Sequence, residues 1–197
     1  MATKTKRKPQ AKPEPEVPKV GGPMAPEQVR ELLRVGQVFK KAGPAPPDRE
    51  GFITFFDPGS SINLLHDRHR EFFYPVRWID KHYFATRTDQ PRWKQIKLAG
   101  SEPFQSFDQQ TKGLGKKVEV VHARELVIYL LFHRLATGEH LDILRIRTDD
   151  VVGDRRVLVG PFDAGIGMSF ATVNDGYKSQ NITVATVIRE ELPEEEE

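Results

Sequence analysis

A chain of 197 residues, 38% hydrophobic and 29% charged, is long enough to bury one core and too apolar to remain wholly unfolded. It has no cysteine, which excludes disulfides, thiol nucleophiles and cysteine-ligated zinc or iron–sulfur clusters. The net charge of +2 conceals a dipolar chain, with Lys4, Lys6, Arg7, Lys8 and Lys12 at the start and Glu190, Glu191 and Glu194 to Glu197 at the end, and charge blocks of this kind repel themselves and stay solvated.

Residues 1–26 carry prolines at 9, 13, 15, 18, 23 and 26 among Lys, Glu, Ala and Gly, a composition that predicts a disordered basic arm. Within it Lys6, Arg7 and Lys8 form a short patch of the kind that binds polyanions or serves nuclear import. The arm has no apolar leader region, and no segment approaches the roughly 18 consecutive apolar residues of a membrane span. The expectation is a cytoplasmic protein without a membrane partner. One domain is expected over 27–189, followed by an acidic disordered tail at 190–197.

The first predicted helix runs over 27–41, where Val29, Leu32, Leu33 and Val38 repeat at helical spacing and Gly43 and Pro44 stop it. A strand follows over 52–56, ended by the turn Asp57-Pro58-Gly59. Three more strands are read over 72–79, 82–87 and 92–98 from their aromatic and β-branched content, joined as an antiparallel meander with an edge or bulge at Pro75. A short strand at 118–121 leads into a helix over 123–137 whose apolar residues cover most of its circumference, the mark of a buried helix. Gly138 ends it. The last third reads as strands over 141–147, 156–159, 167–173 and 182–188, separated by turns at Asp149-Asp150, Gly153-Asp154 and Asn174-Asp175-Gly176. Together these predict an α+β fold: one mainly antiparallel curved sheet of about six to eight strands, one buried helix packed on it and a second, N-terminal helix.

Two regions suggest function. Between His66 and Lys97 the chain interleaves cations, including Arg77, Arg87 and Lys97, with rings that include both tryptophans, Trp78 and Trp93. A sheet face presenting rings beside cations stacks bases and neutralises phosphates. The strand period sets Phe72, Tyr74, Val76 and Trp78 on one side and Phe73 and Arg77 on the other, which weakens that platform. On the buried helix, His122, Glu125, Tyr129 and His133 form one stripe through steps of three and four. If it lines a cleft, Glu125 with His122 or His133 suits general acid–base catalysis. If it faces water, it is a solvated helix face.

Other patterns are poorer. His66 and His69 would need further zinc ligands, which Asp57, Asp67 or Glu71 could supply, but Arg68 and Arg70 oppose a cation there and an exposed polar turn is the better reading. Asp149, Asp150 and Asp154 read as a charged turn in preference to a magnesium site. The Gly113-Leu114-Gly115 and Gly165-Ile166-Gly167 pieces lack phosphate-loop and nucleophile-elbow spacing. No metal and no cofactor are called for. The sequence leaves open whether the protein is an enzyme. Its leading expectation is a noncatalytic binding or assembly protein whose partner is nucleic acid or another protein; the alternative is a small enzyme or ligand-binding domain using the helix stripe. Self-assembly into a homo-oligomer is a third class.

Overall fold

The computed structural model describes residues 44–75, 78–98, 102–139, 141, 143–163 and 167–189, with the backbone alone at 161–163. The predicted basic arm, the helix over 27–41 and the acidic tail lie outside the described residues.

The α+β class holds, but the sheet is two sheets. Strands β1 (Ile53–Asp57), β2 (Arg92–Lys97), β3 (Val118–Val120) and β8 (Thr186–Ile188) form one, in the order β1-β2-β8-β3, all antiparallel. Strands β4 (Arg145–Val152), β5 (Arg155–Asp163), β6 (Gly167–Val173) and β7 (Ile182–Val184) form the other, in the order β6-β5-β4-β7. There β4–β7 is the parallel pair. The run 182–188 read as one strand is therefore divided: Ile182–Val184 pairs with β4 and Thr186–Ile188 with β2 and β3, with Ala185 carrying the chain from one sheet to the other.

The buried helix α4 (Ala123–Thr137) is where the sequence places it. It touches β1 in the first sheet and β4 and β5 in the second, as well as the short helices α1 (Ile62–Arg68) and α2 (Tyr83–Thr86). One apolar cluster joins Phe55, Phe56 and Ile96 to Ile146, Val157, Val159 and Phe170 through Leu126, Val127, Leu130 and Leu131 of this helix. At its end Gly138 adopts φ +71° and donates its N–H to the Arg134 carbonyl at 2.9 Å, the left-handed stop that glycine provides without side-chain cost.

The meander predicted before β2 is absent. Residues Arg70–Phe72 and Ile79–Lys81 are 3₁₀ turns and Tyr83–Thr86 is one helical turn. Strand propensity mostly measures how well a side chain suits a half-buried pleated surface. Here Phe73, Ile79 and Phe84 gain deeper burial by inserting singly into the core. The region touches a sheet at Phe73, which bridges Met168, while Tyr74 N–H donates to the Met168 carbonyl at 3.0 Å. The short helix α3 (Phe107–Thr111) opens on a Ser106 capping box.

Candidate functional site

The first turn of α4, the end of β1 and the start of β2 meet in a buried network of charges. Lys94 occupies β2 two residues before Ile96, so it shares the inward face of the strand, and its stem lies in the core with only its ammonium to satisfy. That group contacts Asp57 Oδ2 at 3.1 Å, Asp89 Oδ2 at 3.0 Å and Glu125 Oε1. An ammonium has three hydrogens, and each meets one carboxylate. Arg124 grips Asp57 with both terminal nitrogens, at 2.8 and 2.7 Å, and reaches Asp89 Oδ2 at 3.1 Å. Arg92 adds a bond to the same Asp89 oxygen at 2.9 Å. Three carboxylates thus face three cations.

Backbone geometry completes the network. Gly59 N–H donates to Asp57 Oδ1 at 2.7 Å, and Asp89 N–H donates to the Gly59 carbonyl at 3.0 Å. Burial alone would raise the Asp89 carboxyl, but Lys94, the Gln90 N–H and Arg92 outweigh it and hold the group far below the ordinary carboxylate range. Oxygens of Asp57, Asp89 and Glu125 all lie within 4.8 Å of one another, close enough to bind a cation. The Lys94 ammonium already plays that part, so the donor set is complete without a metal.

Beside this network stands a second one. Glu125 Oε2 accepts the His122 N–H at 3.0 Å. The His122 ring places Nδ1 3.2 Å from Asp150 Oδ1 and Nε2 3.2 Å from Arg189 Nη2. Asp150 Oδ2 accepts the Ala123 N–H at 2.6 Å, capping the first turn of α4, and Arg87 stands 3.7 Å from Oδ1. Burial acts to raise the Asp150 carboxyl, yet the His122 hydrogen bond, the Ala123 N–H and Arg87 bring it below its ordinary value.

The predicted turn at Asp149-Asp150 is instead part of β4. The register of β4 against β5 slips between Arg147 and Val151, and Asp149 N–H bonds the Val121 carbonyl at 3.0 Å. A bulge of this kind bends a strand and re-aims its side chains, and here it leaves Asp149 exposed and Asp150 buried under α4. The hairpin turn proper is Gly153-Asp154.

The helix stripe is neither a solvated face nor one united site. His122 and Glu125 come together as described. Tyr129 is buried, its ring edge-on to Phe55 at 5.5 Å, and burial pushes its hydroxyl up to about 12. His133 lies two turns beyond Glu125, against the Tyr129 ring at 6.2 Å, and burial lowers it from the usual imidazole value, opposed by Glu139. It has no contact with the Lys94 network among those described. His66 and His69 pack on different rings, Phe73 and Phe72.

The aromatic-basic region divides in a similar way. Trp93 is half-buried, edge-on to Phe56 at 5.3 Å. Trp78, Tyr74 and Tyr83 keep 37%, 42% and 76% of their surfaces exposed. Arg87 lies 5.9 Å from the Tyr83 ring centre on one side and against Asp150 on the other. Lys97 is exposed at the end of β2, and Lys6, Arg7, Lys8 and Arg77 lie outside the described residues. Four cations of the block, Arg70, Arg87, Arg92 and Lys94, face carboxylates of the chain itself.

Sequence reasoning missed Asp57, Asp89, Lys94, Arg124 and Asp150. One signal was present: Lys94 falls on the strand face of Ile96, and Arg124-Glu125 opens a mostly apolar helix, three inward charges that each demand a partner. No family model, curated protein or solved structure matches this chain. Among the described residues, no helix is long and apolar enough to cross a membrane.

Proposed function

We propose that this is a noncatalytic binding or assembly protein that meets a protein partner through the exposed rings of Tyr74, Trp78 and Tyr83. The observation that carries this reading is that three rings are exposed while four described cations of the same stretch, Arg70, Arg87, Arg92 and Lys94, face the chain's own carboxylates. Phosphate binding requires cations directed outward, whereas a protein interface is rich in Tyr, Trp and Arg and poor in Lys. Arg87, 5.9 Å from the Tyr83 ring centre and 3.7 Å from Asp150, is a cation anchored beside one of these rings.

Titration of the full chain against single- and double-stranded nucleic acid at about 50 and 200 mM salt is the first test. No shift is expected at either concentration; a complex at low salt that is lost at high salt and in Arg87→Ala assigns the surface to nucleic acid. In the second, a photo-reactive side chain at position 83 is expected to give discrete protein adducts in cells, including adducts of a second copy if the chain self-assembles. Equal adducts from position 177, an exposed site in the loop between β6 and β7, remove this reading.

A second reading is favoured by the Asp150–His122 contact. A carboxylate on one ring nitrogen is the arrangement that orients an imidazole for proton transfer, so His122 with Glu125 remains the candidate acid–base pair of a small enzyme or ligand-binding site.

A further inference from the structure

Resting on that second reading, we infer that Asp150 is a positioning residue that fixes His122 as the Nδ1–H tautomer, and that Arg189 covers the Nε2 lone pair this leaves. The assignment follows from neighbours whose hydrogen-bonding roles are unambiguous. An ionised carboxylate only accepts, so the proton between Asp150 Oδ1 and His122 Nδ1, 3.2 Å apart, belongs to the ring. A guanidinium only donates, so Nε2, 3.2 Å from Arg189 Nη2, is the acceptor. The opposite tautomer would set N–H against N–H at one nitrogen and a lone pair against a carboxylate at the other.

Position is fixed as firmly as protonation. Asp150 is held by the Ala123 N–H at the start of α4, by Arg87 and by the bulge in β4, while the His122 backbone is tied to Glu125. The cover is looser. Arg189 is exposed, pairs with Glu119 Oε2 at 2.6 Å, and can leave Nε2 by rotating its side chain while the carboxylate side stays intact. A group arriving at Nε2 must offer a proton or an electrophilic centre there, with Asp150 stabilising the positive charge that develops on the ring.

Long-range proton–nitrogen correlation spectra of the full chain, with the His122 signals assigned through His122→Gln, read the tautomer directly. The expected pattern is a protonated Nδ1 and a bare Nε2. Asp150→Asn should redistribute it, which a merely structural role of Asp150 would not do. Arg189→Ala, at an exposed position, should leave the tautomer unchanged. Diethyl pyrocarbonate then probes the lone pair: Nε2 attacks a carbonyl carbon, the N–C bond forms, ethyl carbonate leaves, and the Nδ1 proton passes to solvent. Arg189→Ala is expected to raise acylation of His122 several-fold over wild type. An Nε2–H tautomer in the wild type, or a spectrum unmoved by Asp150→Asn, overturns the positioning role. The expected tautomer with a His122 that reacts no faster than His66, in both wild type and Arg189→Ala, leaves the positioning role standing and overturns the acid–base reading beneath it.

Discussion

Lys94 illustrates how a buried charge makes demands on its surroundings. Its ammonium supports three carboxylates, so Lys94→Met leaves a buried negative excess beside Arg124. Breaking such a group by removing one partner costs about 3–5 kcal/mol, whereas removing charges in balance costs far less. Urea titration should therefore find Lys94→Met strongly destabilised and Lys94→Met with Glu125→Gln closer to wild type; equal losses in both would mean that the contact contributes nothing specific. His133 gives the contrasting, pH-dependent case. Burial holds its folded-state value below 6.5, so the unfolded chain binds more protons as the medium is acidified. The contribution of His133 is present above about pH 6.5 and is lost as pH falls through the lowered folded value. Thermal melts at pH 7 and pH 5 should show a smaller acid-induced drop for His133→Gln than for the wild type, and an equal drop would contradict the burial effect.

At the scale of elements, the two positive-φ glycines near the site and the helix end separate two kinds of constraint. At Gly138 a Cβ would meet nothing within 4 Å, but at Gly59 it would lie 2.0 Å from the Asp89 carbonyl oxygen. Gly138→Ala should therefore cost only the left-handed backbone term, about 1–2 kcal/mol. Gly59→Ala adds a collision that pushes Asp89 out of reach of Lys94 and Arg124, so its loss in the same melts should be clearly larger; equality of the two would refute the close approach. Helix α4, β1, β2, β3 and β6 were legible in the sequence because period and stop signals agreed there. The stretch from Phe72 to Arg87 was not, since its aromatic content speaks for strands while its burial is decided residue by residue by distant core partners. Asp150 was hidden for another reason: adjacent aspartates are ordinary turn chemistry, and only pairing with β5 reveals a bulge. The site was legible in His122 and Glu125, but its other members, Asp57 in β1, Asp89 in the loop before β2, Lys94 in β2 and Arg124 in α4, declare themselves only once those segments meet.

For the whole molecule, the decisive fact is that α4 serves both sheets. A single core cluster runs from Phe55 and Ile96 to Val157 and Phe170 by way of this helix, so the sheets should melt together. Trp93 in β2 reports on the first sheet, and amide exchange in β4 and β5 reports on the second. Their midpoints are expected to coincide in urea, as for one cooperative unit, and two separated transitions would show the sheets to be independent. The sequence could not tell two sheets from one. It supplies strands and turns, whereas partner choice is a long-range matter, and the segment 182–188 that divides the sheets carries no glycine, proline or other turn residue to mark the division.

That division also sets an order of assembly. Strand β8 lies between β2 and β3 in the first sheet although it comes last of the described strands along the chain. During synthesis the antiparallel β1–β2 pair, joined through residues 58–91, can close first, but β3 has no partner among the described strands until residues 186–188 have left the ribosome. The pairings that remain span long separations, and such contacts are slow to form. Until the final strand slots in, β2 and β3 each present an unpaired edge to the surroundings, the kind of edge on which strands of other chains add.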